Sequence, residues 1–163
     1  MRIAIVSDIH DNIPKLRRAL STMADIDALV CCGDLCSPFI IKELAQGFGG
    51  PIHVVFGNND GDRYRIADGA KKFPHVHIHG EFVELEFEGR RMAVNHFDNL
   101  GRAMTGSQRY DVVCFGHNHQ FEITREGKTL VVNPGEIYGL LTGDSTYAVY
   151  DPATNEASRV DVD

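Results

Sequence analysis

The sequence predicts a mixed α/β sandwich formed by a single domain over residues 1–163. Three observations support this prediction. In the first half of the chain, short apolar runs alternate with helical patterns, as in βαβ units. In the second half, strand patterns are joined directly by tight turns. The composition, 43% hydrophobic and 24% charged residues, is ordinary for a globular domain of this length with a substantial core.

The first half is expected to contain three strand–helix units. The strand patterns are "RIAIVSD", "ALVCCGD" and "IHVVFGN". Asp11 or Asn12 is expected to cap the first helix, with Pro14 in its first turn. A second helix is predicted from about Pro38, and "DRYRIADGAKKF" predicts a third. The apolar stripe predicted for the second helix consists of Phe39, Ile40, Leu44 and Phe48.

The second half is expected to consist mainly of hairpins. The segment "EFVELEFEGRRMAVNHF" predicts a hairpin that turns at residues 88–89, and "FEITREGKTLVVNPG" predicts another that turns near residues 126–127. A helical segment from about residue 100 to 110 leads into the apolar strand "DVVCFG". The C-terminal segment predicts a final hairpin through residues 152–155.

Composition narrows the classes of function. Sixteen Lys and Arg against 23 Asp and Glu give a net charge of -7, so no stable nucleic-acid binding is expected. The N-terminal apolar run meets Asp8 too early for a signal peptide or a membrane span, which predicts a cytoplasmic protein without membrane attachment. The cysteines lack a paired Cys-x-x-Cys framework and are interpreted as reduced, buried thiols. They are Cys31, Cys32, Cys36 and Cys114.

Five of the predicted strands end in side chains that can bind a metal ion. These side chains are Asp8, His10, Asp34, Asn58, His96, His117 and His119. Each strand end alone has an ordinary explanation as a turn, a helix cap or a surface histidine. Ligands bind outside the carboxyl ends of strands in such sheets, so the five ends are expected to converge on one edge of one sheet. Carboxylate, imidazole and amide ligands favour Mn²⁺, Fe or Zn²⁺, and seven candidates suit two bridged cations better than one.

The ordered motifs resemble those of the calcineurin-like metallophosphoesterase family. They are Asp8-x-His10, Gly33-Asp34, Gly57-Asn58-x-Asp60, His96 and Gly116-His117-x-His119. The short chain and the segments "MRIAIVSDIHDN" and "VVNPGEI" are similar to the small bacterial and archaeal phosphodiesterases of that family. The resemblance implies a four-layer α/β/β/α sandwich with mixed sheets. It also implies hydrolysis of a small phosphodiester by in-line attack of a hydroxide that bridges two metal ions.

The resemblance further implies a role for each residue. The expected ligands of the first metal are Asp8, His10 and His119, those of the second are Asn58, His96 and His117, and Asp34 bridges them. The residues expected to act in catalysis are Asp34, Asn59 and His96, with the bridging water as the nucleophile. Two divalent ions are expected, with Mn²⁺ favoured and Ni²⁺, Zn²⁺ or Fe as alternatives. Because small relatives often assemble, a homodimer or higher oligomer is a further expectation.

The chain departs from the family pattern at four positions. Asn59 stands where larger members carry a histidine, and an amide cannot donate a proton near neutral pH. This change favours substrates whose leaving group needs little protonation. Phe97 and Asp98 replace the Gly-His or Gly-Asn that commonly follows His96, and Glu136 stands where relatives often have serine or threonine. These departures leave the balance between diesters and monoesters open.

Three further patterns have functional and structural interpretations. Gly57 is expected to permit a sharp bend, and Asp60 either supports a metal ligand or caps the next helix. The segment "HVHIH" places His75, His77 and His79 on one face of a strand, where ordinary surface histidines are a stronger interpretation than a metal site.

Two alternatives to a phosphodiesterase remain open from the sequence. The chain also resembles the phosphoesterase-like subunit of the eukaryotic retromer coat, which suggests a non-catalytic protein-interaction module, although the intact set of candidate ligands argues against it. A phosphomonoesterase or a nuclease is the second alternative. The acidic charge and the lack of an aromatic and basic stripe argue against long nucleic-acid polymers as substrates.

Overall fold

A computed structural model describes residues 1–163 as two β-sheets and four helices. In chain order the elements are β1 (Ile3–Val6), α1 (Ile13–Ser21), β2 (Ala28–Cys31), α2 (Phe39–Gly47), β3 (Ile52–Val54), α3 (Arg63–Ala70), β4 (Val76–Ile78), β5 (Phe82–Phe87), β6 (Arg90–Asn95), α4 (Asp98–Gly106), β7 (Val112–Cys114), β8 (Phe121–Glu126), β9 (Thr129–Pro134), β10 (Thr146–Asp151) and β11 (Glu156–Asp161). The three predicted hairpins are present as the pairs β5–β6, β8–β9 and β10–β11.

Both sheets are mixed. The six-stranded sheet has the order β11-β10-β1-β2-β3-β4, in which β1 to β4 are parallel and β10 is antiparallel to β1 and β11. The five-stranded sheet has the order β5-β6-β7-β9-β8, with parallel pairs at its centre and antiparallel strands at both edges. The parallel strands are nearly continuous apolar runs because they are covered on both faces.

Three apolar clusters form the cores between neighbouring layers of helices and sheets. Alternation along β1 sends Ala4 and Val6 into the cluster shared with α1, α2 and α3, and sends Ile3 and Ile5 into the cluster between the two sheets. A smaller third cluster, which includes Phe115, lies on the outer face of the second sheet, against Met104 of α4. The predicted four-layer α/β/β/α sandwich is therefore confirmed.

Local capping explains where two of the helices begin. The Asn12 side chain accepts a hydrogen bond from the backbone N–H of Lys15, with Pro14 in the first turn of α1. Asp62, rather than Asp60, caps α3 through the backbone N–H of Arg65. The stripe predicted for α2 was wrong at Phe39, whose side chain is 74% exposed. Ile41 takes its place in the core because Phe39 is the first residue of the helix and faces away from the sheet.

The metal-capable strand ends belong to two sheets, which corrects the prediction of one edge of one sheet. β1, β2 and β3 lie in the first sheet, whereas β6 and β7 lie in the second. The prediction failed because apolar periodicity assigns residues to strands but does not assign strands to sheets. Within each sheet the parallel strands run in the same direction, so their carboxyl ends lie at the same edge. The two sheets stack with these edges side by side, which brings all five strand ends to one end of the molecule.

Two further predictions concern the burial of the cysteines and the presence of a membrane span. Cys31, Cys32 and Cys114 are buried free thiols, as expected, whereas Cys36 is only partly buried. None of the four helices combines the length and the apolar character needed to cross a lipid bilayer.

Candidate metal centre

The seven predicted ligands converge on one end of the sandwich. Asp8, His10 and His119 form one group of donor atoms within 4.8 Å of one another, and Asp8, Asp34 and His96 form a second. The two groups share Asp8, so they form one continuous centre. All of these residues follow β1, β2, β6 or β7 directly, and the short loops after the strands fix their positions.

Asn58 and His117 complete the centre on the side of His96. The side-chain oxygen of Asn58 lies 3.1 Å from Nε2 of His96 and 2.9 Å from Nδ1 of His117. Asn58 and His117 are exposed, whereas Asp8, Asp34 and His96 are buried. The centre is therefore built on a buried floor of carboxylates and opens to solvent on its outer side.

The donor atoms fit a divalent cation. His10 Nε2 lies 3.6 Å from Asp8 Oδ1 and 3.5 Å from Asp34 Oδ2, and His119 Nε2 lies 3.4 Å from Asp8 Oδ1. Two donors about 2.1 Å from one cation at a tetrahedral angle lie about 3.4 Å apart. Asp8 Oδ1 and His10 Nε2 are buried and have no hydrogen-bond partner. Such atoms are rare unless an ion or water satisfies them, so the set suits a hard or borderline metal.

Five of the seven candidate ligands adopt a left-handed backbone conformation. Their φ angles are 52° at Asp8, 43° at His10, 56° at Asp34, 73° at His117 and 62° at His119. Non-glycine residues in this region carry an unfavourable conformational energy, and they persist where surrounding contacts hold them in place. The loops after β1, β2 and β7 therefore bend sharply at the candidate ligands, whereas Asn58 after β3 and His96 after β6 have no left-handed φ.

Asp60 links the loop after β2 to the loop after β3. Its carboxylate accepts hydrogen bonds from the backbone N–H groups of Gly57, Asp34 and Cys36 at 2.7, 3.1 and 3.0 Å. Asp60 is buried, and burial raises its pKa although these three donors oppose the shift. Of its two predicted roles, the support of a ligand loop is the one that the structure contains.

Asn59 holds Asp34 in place. Its backbone N–H and its side-chain amide donate to the two carboxylate oxygens of Asp34, each at 2.8 Å. Burial alone would raise the pKa of Asp34, but the His96 imidazole and the two Asn59 donors hold that pKa well below its usual range. These contacts therefore favour the charged carboxylate at Asp34. The Asn59 amide faces this carboxylate.

Two histidines are oriented by acceptors on their other ring nitrogen. Nδ1 of His96 donates to the backbone carbonyl of Cys32 at 2.8 Å, and Nδ1 of His119 donates to Glu136 at 2.7 Å. A carbonyl or carboxylate can only accept, so in the neutral form of each ring Nε2 carries the lone pair that faces the centre. Burial lowers the pKa of His96, but the carboxylates of Asp34 and Asp8, with the Cys32 carbonyl, together raise it overall. Asp8, with Asp34, likewise raises the pKa of His10.

Glu136 contacts a candidate ligand, His119, and this contact could not be assigned from the sequence. It is fully buried, and it accepts hydrogen bonds from the backbone N–H groups of Leu141 and Thr142 as well as from His119. Burial would raise its pKa, but the Thr142 and His119 donors lower it overall, so the carboxylate stays charged against the imidazole. The only sequence signal was its place after "VVNPG", where relatives often have serine or threonine.

Glu136→Gln is expected to weaken cation binding at the His119 side of the centre by about 10- to 100-fold, the usual effect of removing a residue that orients a metal-binding histidine. The amide retains the size of Glu136 but removes its charge. Calorimetric titration of Mn²⁺ into metal-stripped protein measures this change. Glu126→Gln, on the exposed part of β8, is the matched control and should leave the affinity unchanged. Equal affinities in the two variants would show that Glu136 serves only the fold.

A second group of histidines lies at the edge of the first sheet, and it corrects one prediction. His77 and His79 share a face of the sheet, but His75 precedes β4 and its Nε2 pairs with the Ala45 carbonyl at 3.1 Å instead. His53 on β3 takes its place, with ring centroids 5.2 Å from both His77 and His79. Because β3 pairs in parallel with β4, this partner comes from a neighbouring strand and not from the His-x-His repeat.

His53 should make the protein less stable in acid. Burial, and secondarily the imidazoles of His79 and His77, lower its pKa to about 4. The unfolded chain, with a histidine pKa of about 6.5, therefore binds the proton first, so stability falls as pH drops from about 6.5 to 4. His53→Gln is expected to reduce that fall by on the order of 1–2 kcal/mol, allowing for partial exposure. Urea denaturation between pH 8 and 4.5 tests this, and coincident profiles would contradict it.

Comparison with known proteins places this geometry in a family. The profile of the calcineurin-like phosphoesterase superfamily domain matches residues 1–155. Phosphodiesterase MJ0936 of Methanocaldococcus jannaschii is 32% identical over 164 residues, which cover 98% of each chain. A solved structure described as that of a novel archaeal phosphodiesterase superposes with a TM-score of 0.92 at 31% identity and covers 99% of each chain.

A more distant structure shares the fold alone. Vps29 of Entamoeba histolytica, solved with Zn²⁺, superposes with a TM-score of 0.66 at 15% identity over 100% of both chains. The nearer matches confirm the predicted resemblance and the predicted class of activity, phosphoester hydrolysis. From its profile match over residues 1–155 and its relative of 32% identity, the chain belongs to the calcineurin-like phosphoesterase superfamily.

Proposed function

We propose that this protein hydrolyses small phosphodiesters at a centre of two divalent cations, with Mn²⁺ the favoured metal. The observation that carries the proposal is the convergence of seven oxygen and nitrogen donors from five strand ends, with two buried donor atoms left unpaired. A relative of 32% identity is named a phosphodiesterase, which supports diesters over monoesters.

Each residue of the centre has a task in this proposal. Asp8, His10 and His119 would hold one cation, Asn58, His96 and His117 would hold the other, and Asp34 would contact both. When bound, the two cations would polarise the phosphoryl oxygens and supply positive charge where negative charge develops in the transition state. The Cys32 carbonyl and Glu136 orient imidazoles, and Asn59 fixes the Asp34 carboxylate, so the ligands are preorganised before substrate arrives.

A covalent cysteine mechanism is a poor fit to the same site. Cys36 is the only thiol beside the centre, with Sγ 3.3 Å from Nδ1 of His10. Burial, with neighbouring carboxylates that include Asp11, raises the pKa of Cys36 to about 12, so the thiol stays protonated near neutral pH. Only a thiolate is an effective nucleophile. Cys36 is therefore a poor candidate for the attacking group.

The chemistry around Asn59 supports a preference for good leaving groups. Its amide donates to Asp34, and an amide has no proton to give to a departing alkoxide near neutral pH. An aryl diester, whose leaving group needs no protonation, should therefore be a better substrate than an alkyl diester. A protein-interaction module on this fold would have no need for a complete set of converging donors.

A metal-reconstitution assay tests the proposal. Metal-stripped protein is given Mn²⁺, Ni²⁺, Zn²⁺ or Mg²⁺ and assayed with bis(p-nitrophenyl) phosphate and with p-nitrophenyl phosphate. We expect no turnover without metal, recovery with Mn²⁺, and a higher kcat/KM for the diester. Metal-independent turnover would contradict the cation centre, and a preference for the monoester would contradict the assignment as a diesterase.

A further inference from the structure

A group of three histidines lies on the face of the first sheet that is turned toward the second sheet. The neighbours of His53 in β3 belong to the apolar cluster shared with the helices, so alternation along the strand turns His53 the opposite way. Its ring meets the ring of Phe87 from β5 edge-on, with centroids 6.1 Å apart. His77 is the register partner of His53 on the edge strand β4, and His79 follows on the same face. Two strands therefore bring three imidazoles to one small surface.

The three rings are spaced nearly as imidazoles bound to one cation would be. Nδ1 of His53 lies 2.9 Å from Nε2 of His79, and the His53 ring centroid lies 5.2 Å from the centroids of both His77 and His79. Two imidazoles that hold a cation at about 2.0–2.1 Å and at a tetrahedral angle have centroids about 5.2 Å apart. The His77 and His79 centroids are 6.4 Å apart, so these two rings must approach by about 1 Å. His77 is exposed and can rotate to close that gap.

The group has lone pairs available for a cation near neutral pH. Burial, followed by the charges of neighbouring imidazoles, lowers the pKa of His53 to about 4 and lowers the pKa of His79 as well. Both rings are therefore neutral at pH 7, and each neutral imidazole carries one N–H and one lone pair. In the hydrogen bond between them one ring is the donor. Moving its proton to its other nitrogen turns a second lone pair toward the cation and releases no proton.

We propose that His53, His77 and His79 form a second metal site, which binds Zn²⁺ and leaves one coordination position open to water. Imidazole suits Zn²⁺, whereas Mg²⁺ and Mn²⁺ prefer oxygen ligands. Three histidines and a water are a ligand set that Zn²⁺ takes in proteins. Phe87 covers one side of His53 with an apolar ring, which limits the access of solvent to the site. The site shares no ligand with the centre at the strand ends, and its cation would tie the edge strand β4 to β3.

Zinc stoichiometry tests the second site. Metal-stripped wild-type protein, His53→Gln, His77→Gln and His75→Gln are dialysed against Zn²⁺, and the bound metal is measured by elemental analysis. His75→Gln is the matched control, because His75 precedes β4 and pairs with the Ala45 carbonyl. We expect the wild-type protein and His75→Gln to bind one equivalent more than the other two variants, whatever number the strand-end centre takes. Equal uptake by all four proteins would overturn the proposal.

Affinity and ring signals give a second test that does not depend on replacing the half-buried His53. His77 is exposed, and circular dichroism checks that His77→Gln folds. In this variant the Zn²⁺ affinity of the second site should fall by about 100-fold or more, since loss of a residue that only orients a ligand already weakens binding about 10- to 100-fold. In the wild-type protein, saturating Zn²⁺ should shift the NMR ring signals of His53, His77 and His79 but not those of His75. Unshifted signals from the three would contradict the site.

Mn²⁺ titration separates the second site from the strand-end centre. Because Mn²⁺ prefers oxygen ligands, its affinity for that centre should be the same in wild-type protein and in His77→Gln. Loss of one Zn²⁺ equivalent with Mn²⁺ binding intact would support two separate sites. Loss of Mn²⁺ binding in the same variant would show that the histidine acts through the fold and would overturn the proposal. None of these measurements uses hydrolysis of a phosphodiester, so their outcome is independent of the proposed function.

Discussion

Asp34→Asn is expected to lower kcat/KM for an aryl phosphodiester by on the order of a thousandfold, the scale of several kcal/mol of lost transition-state stabilisation. Asp34 Oδ2 lies 3.5 Å from His10 Nε2 and 3.4 Å from His96 Nε2, so one carboxylate serves both halves of the centre. An amide removes its negative charge. It also turns one oxygen into a donor that faces the amide donor of Asn59.

Steady-state kinetics and calorimetric Mn²⁺ titration together measure this effect. The titration should lose about one equivalent of tightly bound cation, which separates failed metal binding from failed chemistry. Asp68→Asn is the control, because Asp68 is exposed on α3 and pairs only with Lys71. An Asp34→Asn protein that binds two cations and retains activity within tenfold of wild type would exclude the proposed role of Asp34.

Gly57→Ala is expected to disrupt the centre through a single methyl group. A Cβ at this position would overlap Asp34 Oδ1 and lie 2.8 Å from the ring of His96. Neither neighbour can retreat easily, because Asn59 holds Asp34 and the Cys32 carbonyl holds His96. We expect a loss of about 1–3 kcal/mol in the free energy of unfolding, as is typical of overpacking. Cation affinity at the His96 side should fall with it.

Gly61→Ala provides a matched control four residues away. A Cβ at Gly61 would meet no atom within 4 Å, so the same chemical change should alter neither stability nor metal binding. Urea denaturation and calorimetry of both variants give the comparison. If the two alanine variants behaved alike, the close approach at Gly57 would not constrain the centre.

The sequence was sufficient for the strands, the hairpins and the candidate ligands that converge at the centre, because these depend on local patterns. Apolar runs of period two, turn residues and metal-capable side chains at strand ends are all visible within a few residues of one another. Gly57 shows the limit of that approach. It was expected to permit a bend, but its φ is not among the left-handed angles. The position needs glycine because the side chains of Asp34 and His96, which follow β2 and β6, leave no room for a Cβ.

The parts that the sequence did not reveal depend on contacts between distant segments. Glu136 meets His119 across 17 positions, and His53 meets His79 across 26. No periodicity encodes these pairings, because each depends on how two sheets stack. The predictions that Phe39 faces the core and that His75 shares a face with His77 and His79 were wrong for a related reason. Phe39 is the first residue of α2 and His75 lies just before β4, where the periodic pattern does not yet apply.

The left-handed ligand turns have a consequence for how cations enter and leave. Five such residues, at roughly 1 kcal/mol or more each, concentrate unfavourable backbone energy in the loops after β1, β2 and β7. Ile9 and Leu35 anchor the first two loops in the core, whereas residues 116–120 add nothing to the apolar clusters and include the exposed His117. A loop with few buried apolar contacts opens locally well before the whole fold does. Metal exchange should therefore be limited by transient opening of the loop after β7, and amide hydrogen exchange there should slow when cations bind while exchange in the central strands stays unchanged.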